Sequence, residues 1–399
     1  MPHVGVIGEY NPFHNGHAYH LASCRELAGP DSAVICVMSG DFVQRGETAV
    51  YSKFARAEAA CRCGADLVIE LPARWSLSSA EGFARGGVSL LQRLGASVLC
   101  FGSESGDTER LMRVAALLAG SEIYEEIRRT LAASGDLSFA KARLLAVRAQ
   151  LGEDAELLAS PNDILAVEYC KAILSHGAQM VPYAIPRRGA GHDEADGAPG
   201  FRSASAIRAM LRRGEDVRGE LPAEAAAVYE RETRNGRRLS EDVLETAALS
   251  RLRMYDAAYF SALPDAGDGL GLRIYRAVRE ASDLQEIVET AKTKRYPTAR
   301  IRRILLRASL DLCAEAPCAL PPYARVLAAN ARGRAHLASI RETEALPLVT
   351  KPASVHKLSV PCQAVFRETA LAHDFYTLCF ADKKARTAGE DWKTGPAIV

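Results

Sequence analysis

The first hundred residues alternate between short apolar runs and amphipathic stretches of helical period. Apolar runs of strand length fall at Val4–Gly8, Ala33–Met38, Leu67–Leu71 and Val98–Phe101. Between them lie helix-period segments at Gly16–Leu27, Ser52–Cys63 and Ser79–Leu94. In the second of these, Phe54, Ala57, Ala60 and Cys61 share one face, and Arg56, Glu58 and Arg62 share the other. Strands that are apolar throughout and separated by helices predict a parallel sheet covered on both faces. Each run ends in small or polar residues: Gly8-Glu9, Ser39-Gly40, Pro72 and Gly102-Ser103. In open α/β sheets, ligands collect outside those carboxyl ends.

From Thr108 to Ser175 the pattern is mainly helical, interrupted by Ser160-Pro161-Asn162-Asp163, which reads as a helix N-cap with an acidic first turn. A further strand is predicted at Met180–Ile185, then a Gly-rich loop from Gly189 to Gly200, then a helix opened by Ser203. After residue 235 the strand-like runs largely vanish, and helical segments with Arg and Leu dominate. The expected architecture is a Rossmann-like α/β domain over 1–235, followed by a mostly α-helical domain over 236–399.

The chain has 399 residues, enough for two or three domains. Apolar residues make up 48% and charged residues 25%, as in soluble proteins with a real core. Fifty basic residues against 49 acidic ones leave a net charge of +1, so any nucleic-acid partner must be read from local clusters. The cysteines form no CxxC pair, and several sit in apolar runs such as Val34-Ile35-Cys36-Val37. That usage predicts reduced, buried thiols of a cytosolic protein, with no disulfide-linked partner and no zinc site. The N-terminus has no charged leader and no long apolar stretch, so neither a signal peptide nor a membrane span is expected.

Chemistry concentrates first in Gly8-Glu9-Tyr10-Asn11-Pro12-Phe13-His14-Asn15-Gly16-His17, which leaves the first strand and opens the first helix. A His-x-Gly-His turn puts two imidazoles and several backbone N–H groups at a helix N-terminus, where partial positive charge suits a polyphosphate. Gly16 admits close approach of a phosphate, and His14 and His17 can donate hydrogen bonds to charge developing on it. His14, His17 and His20 recur every third residue, but no carboxylate lies at a matching step, and no metal site is expected from them. The second signal is Ser203-Ala204-Ser205-Ala206-Ile207-Arg208: hydroxyls at a helix start with an arginine on the first turn. Gln44-Arg45-Gly46-Glu47 reads equally as an anion contact at Arg45 oriented by Glu47 and as a turn held by a surface ion pair. Lys53, Arg56 and Glu58 read as a solvated helix face.

The two main motifs together resemble the signatures of the nucleotidylyltransferase superfamily; Ala204 and Ser205 replace Ser-Thr in its second signature, Ser-Ser-Thr-x-Ile-Arg. Longer strings narrow the resemblance. Glu9–His17, Met38–Glu47, Lys53–Pro72, Phe101–Asp107 and Ser160–Leu165, and more thinly Thr293–Leu305, resemble the bacterial tRNA(Met) cytidine acetate ligase family. The resemblance implies that acetate attacks the α-phosphate of ATP, giving acetyl-adenylate and pyrophosphate. The acetyl group then passes to N4 of the wobble cytidine of elongator tRNA(Met). By the same resemblance, ATP is held by Ile7, Gly8, Glu9, Tyr10, Asn11, Pro12, Phe13, His14, Asn15, Gly16, His17, Ala18, Tyr19 and His20, with Gly102, Asn162 and Arg187 or Arg188. His14, His17, Ser205 and Arg208 are the expected catalytic residues, and Mg²⁺ is expected to accompany ATP, with Glu104 and Asp107 as open candidates to touch it. The family's Gly-Tyr-His-Asp string reads Gly191-His192-Asp193 here, without the tyrosine.

A basic cluster, Lys292, Lys294, Arg295, Arg300, Arg302, Arg303 and Arg307, interleaves with Tyr296, and Arg251 and Arg253 extend it. On a helix starting near Pro297, Arg300, Arg303 and Arg307 share a face. The expectation is a phosphate-contacting stripe for tRNA made of Lys294, Arg295, Arg300, Arg303 and Arg307. Two other readings fit the motifs: an enzyme that adenylylates a small phosphorylated metabolite, and an RNA-binding protein with a degenerate nucleotide site.

Overall fold

The structure, a computed structural model, describes residues 2–133, 137–187, 200–312, 320–341 and 346–399. Arg188, the loop to residue 199 with Gly191, His192 and Asp193, and Cys313 and Cys318 lie outside the described residues. In chain order the elements are β1 (Val4–Gly8), α1 (Asn15–Ala28), β2 (Val34–Ser39), β3 (Phe42–Val43), β4 (Glu47–Thr48), α2 (Lys53–Arg62) and β5 (Leu67–Leu71). Next come α3 (Ala73–Ser76), α4 (Ala80–Arg93), β6 (Val98–Ser103), α5 (Thr108–Ala119), α6 (Glu122–Ala133), α7 (Phe139–Leu151), α8 (Pro161–His176), β7 (Val181–Pro186) and α9 (Ala204–Arg212). Then follow α10 (Ala223–Arg234), α11 (Glu241–Leu252), α12 (Ala257–Ala262), α13 (Leu270–Glu280), α14 (Leu284–Ala291) and α15 (Thr298–Ser309). The remainder is β8 (Ala324–Ala329), α16 (Ala331–Arg341), β9 (Leu348–Val349), α17 (Val360–Leu378), α18 (Glu390–Lys393) and β10 (Ala397–Ile398).

The sheet runs β10-β8-β5-β2-β1-β6-β7, with β9 on β8. Pairs from β5 through β2, β1 and β6 to β7 are parallel, as the unbroken apolar runs predict. Because β1, β2, β5 and β6 are buried on both faces over most of their length, alternate residues serve two cores. Ile7, Ile35, Val37 and Ile69 join Phe83, Val114 and Val167 on one side; Val6, Cys36, Met38 and Val68 join Leu21, Ala57 and Val228 on the other. The chain moves from β1 out to β2 and β5, then returns to place β6 on the far side of β1. The crevice between β1 and β6 is therefore the switch point of the sheet.

Two expectations change here. The sheet draws strands from both sides of residue 235: β8 pairs antiparallel with β5, and β10 pairs with β8. Segment 236–399 is mostly helical, as expected, but it also gives β8, β9 and β10 to the sheet. Its helical part is a unit from α11 to α15 with its own core, including Leu252, Phe260, Ile274, Ile287, Ile301 and Ile304. Second, Lys53 and Arg56 are not on a solvated face: both are fully buried. Lys53 Nζ lies 2.7 Å from both Glu70 and Asp391, and Asp391 also pairs with Arg325 of β8 at 3.0 Å. Burial favours the neutral amine, but Asp391 and Glu70 hold Lys53 charged, its pKa above the usual range. Alongside, His373 of α17 sits between Asp41 at 2.7 Å and Glu390 at 3.1 Å. Burial opposes its charging, yet Asp41 and Asp391 prevail and raise its pKa to about 9.

Replacing Asp391 with Ala leaves Lys53 and Arg325 short of a counter-charge in the interior and is expected to cost about 3–5 kcal/mol, read from urea unfolding midpoints. His373 carries a sign that can be checked separately. Its folded pKa is raised from 6.5 to about 9, so its stabilisation is complete below 6.5 and is lost as pH rises through about 9. Unfolding free energy is expected to fall between pH 7 and 9, and His373→Gln is expected to remove that slope; a flat wild-type profile would contradict the pairing.

Candidate active site

The His-x-Gly-His turn folds as a reciprocal cap on α1. His14, extended at the N-cap, accepts at Nδ1 from Gly16 N at 3.0 Å, and His17 accepts at Nδ1 from His14 N at 3.2 Å. This is the imidazole counterpart of a capping box. Gly16 is required by space: a Cβ there would lie 2.8 Å from His14 Cε1, because the ring folds back over it. Since both Nδ1 atoms accept, each ring in its neutral form carries its proton on Nε2, facing away from the turn. Burial keeps them neutral. It lowers His14 to about 4, helped by Arg187 and Arg208, and lowers His17 well below its ordinary value, helped by His14 and Arg187. The rings lie 3.8 Å apart, centre to centre, and present two N–H donors.

These rings border a cavity of about 200 Å³ at the switch point. Of the expected nucleotide residues, Ile7, Gly8, Tyr10, His14, Gly16, His17, Tyr19, His20, Gly102, Asn162 and Arg187 line it together. The others build the turn. Glu9 accepts from Gln44 N at 2.8 Å, and Asn11 Oδ1 accepts from Val50 N at 2.9 Å. Pro12 faces a separate cavity with Tyr51 and Tyr229, while Phe13 is fully buried and its N–H donates to Tyr229 Oη at 2.9 Å. Asn15 donates to the carbonyls of Gly200 at 2.8 Å and Gly219 at 3.1 Å, and Ala18 packs on the core beneath α1. Arg187 reaches the cavity wall with an exposed side chain whose guanidinium has no hydrogen-bond or ion-pair partner among the described residues. An unpaired guanidinium at the edge of a cavity is available for a bidentate anion contact.

Asn162, Leu165 and Tyr169 stand on one face of α8, and with Phe101 and Ile185 they form the apolar wall of the cavity. Only Asn162 is named by motif; the i, i+3, i+7 spacing was the available signal for Leu165 and Tyr169. With the acidic Asp163 in the first turn of α8, the N-cap residue is Ser160, as expected. Its side chain makes no cap hydrogen bond. Instead Glu104 caps α8 across the chain, accepting from Asn162 N at 3.3 Å and Asn162 Nδ2 at 2.6 Å through one oxygen and from Asp163 N at 2.9 Å through the other. Asp163 in turn accepts from Ser103 Oγ at 2.5 Å and Glu104 N at 3.0 Å, and Asp107 caps α5 through Arg110 N at 3.0 Å. The carboxylates after β6 are thus committed to the backbone.

The second motif stands beside the cavity. Ser203 lines it and caps α9, accepting from Ala206 N at 3.2 Å. Ser205 is exposed, and Arg208 is buried. Arg208 donates to Asn11 O at 2.8 Å, to Glu47 Oε2 at 2.7 Å and to Ser205 Oγ at 3.4 Å, so it fastens the histidine turn to the β3–β4 hairpin. Glu47 therefore serves Arg208, and its other oxygen pairs with Arg302 of α15 at 3.4 Å. Gly46 lets the hairpin and α15 meet: its φ is 74°, and a Cβ would stand 2.6 Å from Arg303 N.

The phosphate stripe is corrected in part. Arg303 and Arg307 are buried, donating to Gln44 O at 3.2 Å and to Leu77 O at 3.2 Å. They join the helical unit to the α/β core and are withdrawn from any RNA. Arg300 is half-buried, donating to Asp265 O at 2.8 Å and lying over the Tyr296 ring. Lys292, Lys294 and Arg295 are exposed at the turn into α15.

The neutral-donor geometry predicts that the rings of His14 and His17 show no titration between pH 5.5 and 8 in histidine-labelled NMR spectra. A ring titrating near 6.5 at either position would mean a charged imidazole in the turn.

A profile of the HIGH nucleotidyl transferase family matches residues 1–391. The tRNA(Met) cytidine acetate ligase of Syntrophotalea carbinolica is 40% identical over 365 residues, covering 89% of this chain and 86% of that protein. The ligase of the same name from Fervidobacterium nodosum is 34% identical, covering 98% and 97%. The crystal structure of apo Thermotoga maritima TmcAL superposes with a TM-score of 0.94 at 33% identity, covering all of both chains. The form bound with alpha-thio ATP superposes at 0.91 and 34% identity, covering 100% of this chain and 99% of that one.

Proposed function

This chain belongs to the HIGH nucleotidyl transferase family, alongside the tRNA(Met) cytidine acetate ligases, and from that footing we propose that it is an ATP-dependent ligase acetylating N4 of the wobble cytidine of elongator tRNA(Met). The observation that carries this reading is the pair of neutral imidazoles presenting Nε2–H donors into the switch-point cavity. ATP lies with adenine against Leu165 and Tyr169, near Gly102 and Asn162, and with its phosphates toward α1 and Arg187. An acetate oxygen attacks the α-phosphorus and pyrophosphate leaves. Carboxylate is already nucleophilic, so positioning and electrostatics do the work: His14 and His17 donate to the developing charge, and Arg187 adds its own. Ser205 and Arg208 stand at the pyrophosphate end, Arg208 held there by Asn11 and Glu47. The cytidine amine then attacks the acetyl carbonyl, the amide forms, AMP departs and the amine loses a proton.

The carboxylates after β6 fit poorly as metal ligands, being spent on helix caps and turns. Mg²⁺ therefore comes as part of the substrate, on the phosphates with its waters. A cleft of about 230 Å³ between Glu47, Arg208, Leu244, Val288 and Arg302 lies where the α/β core meets the helical unit, and we place the acceptor base there. The helical unit, with Lys292, Lys294 and Arg295 exposed, takes the tRNA backbone. No helix among the described residues is long and apolar enough to cross a membrane, and the described cysteines are free thiols, which accords with work on tRNA in the cytoplasm.

Incubation with ATP, labelled acetate and unmodified tRNA(Met) is expected to place label on the RNA with release of AMP and pyrophosphate. A nucleotide conjugate formed without RNA would point to the small-metabolite adenylyltransferase instead. His17→Ala removes one donor and is expected to slow acetate-dependent ATP–pyrophosphate exchange by about 10²–10³-fold. In filter binding, Lys294→Ala with Arg295→Ala is expected to reduce the salt slope of tRNA affinity by about 1 for each phosphate no longer neutralised. Arg307→Ala is expected to lower the melting temperature and leave that slope unchanged.

A further inference from the structure

Beneath the nucleotide cavity three soft donors converge from two elements. His20 and Cys24 lie one turn apart on α1, and Cys100 faces them from β6. One donor atom from each lies within 4.8 Å of the other two, the one such grouping of three His, Cys, Asp or Glu side chains among the described residues. Both cysteines are fully buried. His20 borders the cavity, yet its Nε2 is out of solvent and has no hydrogen-bond partner among the described residues. A buried ring nitrogen without a partner is costly, and native structures rarely leave one.

We propose that His20, Cys24 and Cys100 bind a single thiophilic cation of the zinc class, with a water from the nucleotide cavity completing a tetrahedron. Two sulfurs and an imidazole select a soft or borderline ion over Mg²⁺. Bonds of about 2.0–2.3 Å would hold the donors under about 4 Å apart, so the side chains close by about 1 Å or less. Binding displaces the protons of both thiols, so uptake of the ion is expected to release them. The ion ties α1 to β6 one turn beyond His17 and two residues before Gly102, directly under the nucleotide. The site does not depend on which acceptor the enzyme uses.

The test is a titration of the reduced, metal-free full-length protein with Co²⁺ as a spectroscopic stand-in, followed by Zn²⁺. The expected result is a near-ultraviolet thiolate-to-cobalt charge-transfer band and intense tetrahedral d–d bands that saturate at one equivalent and are abolished by one equivalent of Zn²⁺. Cys24→Ser and Cys100→Ser should each lose charge-transfer intensity, His20→Gln should shift the d–d bands, and Cys63→Ser should retain the wild-type spectrum. Absence of a charge-transfer band in the wild type, or a band that survives both cluster serine variants, overturns the proposal. So does a Cys24–Cys100 disulfide in air-handled protein that takes up no metal after reduction. Zinc-edge anomalous diffraction from wild-type crystals gives an answer independent of variant folding: a peak among the three side chains supports the site, and a peak elsewhere or nowhere removes it.

Discussion

The carbonyl groups at the ends of β1 and β2 and in the turn before α2 converge on one guanidinium. Arg56, fully buried, donates to Glu9 O at 2.5 Å, Tyr51 O at 2.9 Å and Ser39 O at 3.2 Å, and also to Gly40 O. Strand-end carbonyls withdrawn from water need such a partner, and a five-donor planar fork can serve several at once. The loop leaving β1 carries the histidine turn, and the loop leaving β2 carries the β3–β4 hairpin with Glu47. Arg56 fixes each relative to the other, and Arg208 closes the ring from above by joining Asn11 to Glu47. The positions of His14 and His17 rest on this arrangement.

The parallel strands and the histidine turn were legible because their signals are contiguous. An apolar run of five residues, or His-x-Gly-His at a strand-to-helix junction, carries its meaning within a few positions. Lys53 and Arg56 were misread for the opposite reason. Helical period separates two faces of α2, but nothing nearby in the chain shows that Glu70 and Asp391 will receive Lys53 or that strand-end carbonyls will receive Arg56. Arg303 and Arg307 repeat the lesson on α15, where an arginine stripe looks solvated until the hairpin and Leu77 dock on it. β8 was missed because an alanine-rich run holding Arg325 resembles a helix. Its charge is tolerated in a buried strand only through Asp391 and Glu70.

The site shows the same division. The groups proposed to bind phosphate cluster in one turn and were visible, while the apolar wall from Leu165 and Tyr169 depended on knowing that α8 packs beside β6. Glu104 reads locally as a free carboxylate after a strand; its work as the cap of α8 is nonlocal. Motif resemblance supplied Asn162 without that context, and geometry supplied its neighbours.

Lys53 and Asp391 are 338 residues apart, yet neither is comfortable in the interior without the other. During synthesis, the half of the protein that carries the histidine turn leaves the ribosome long before its counter-charge exists. An emerging chain therefore holds Lys53 against Glu70 alone, and the set of two cations and two carboxylates is complete only once Arg325 and Asp391 have been made. The nucleotide-binding half thus reaches its final packing only after translation has passed α18.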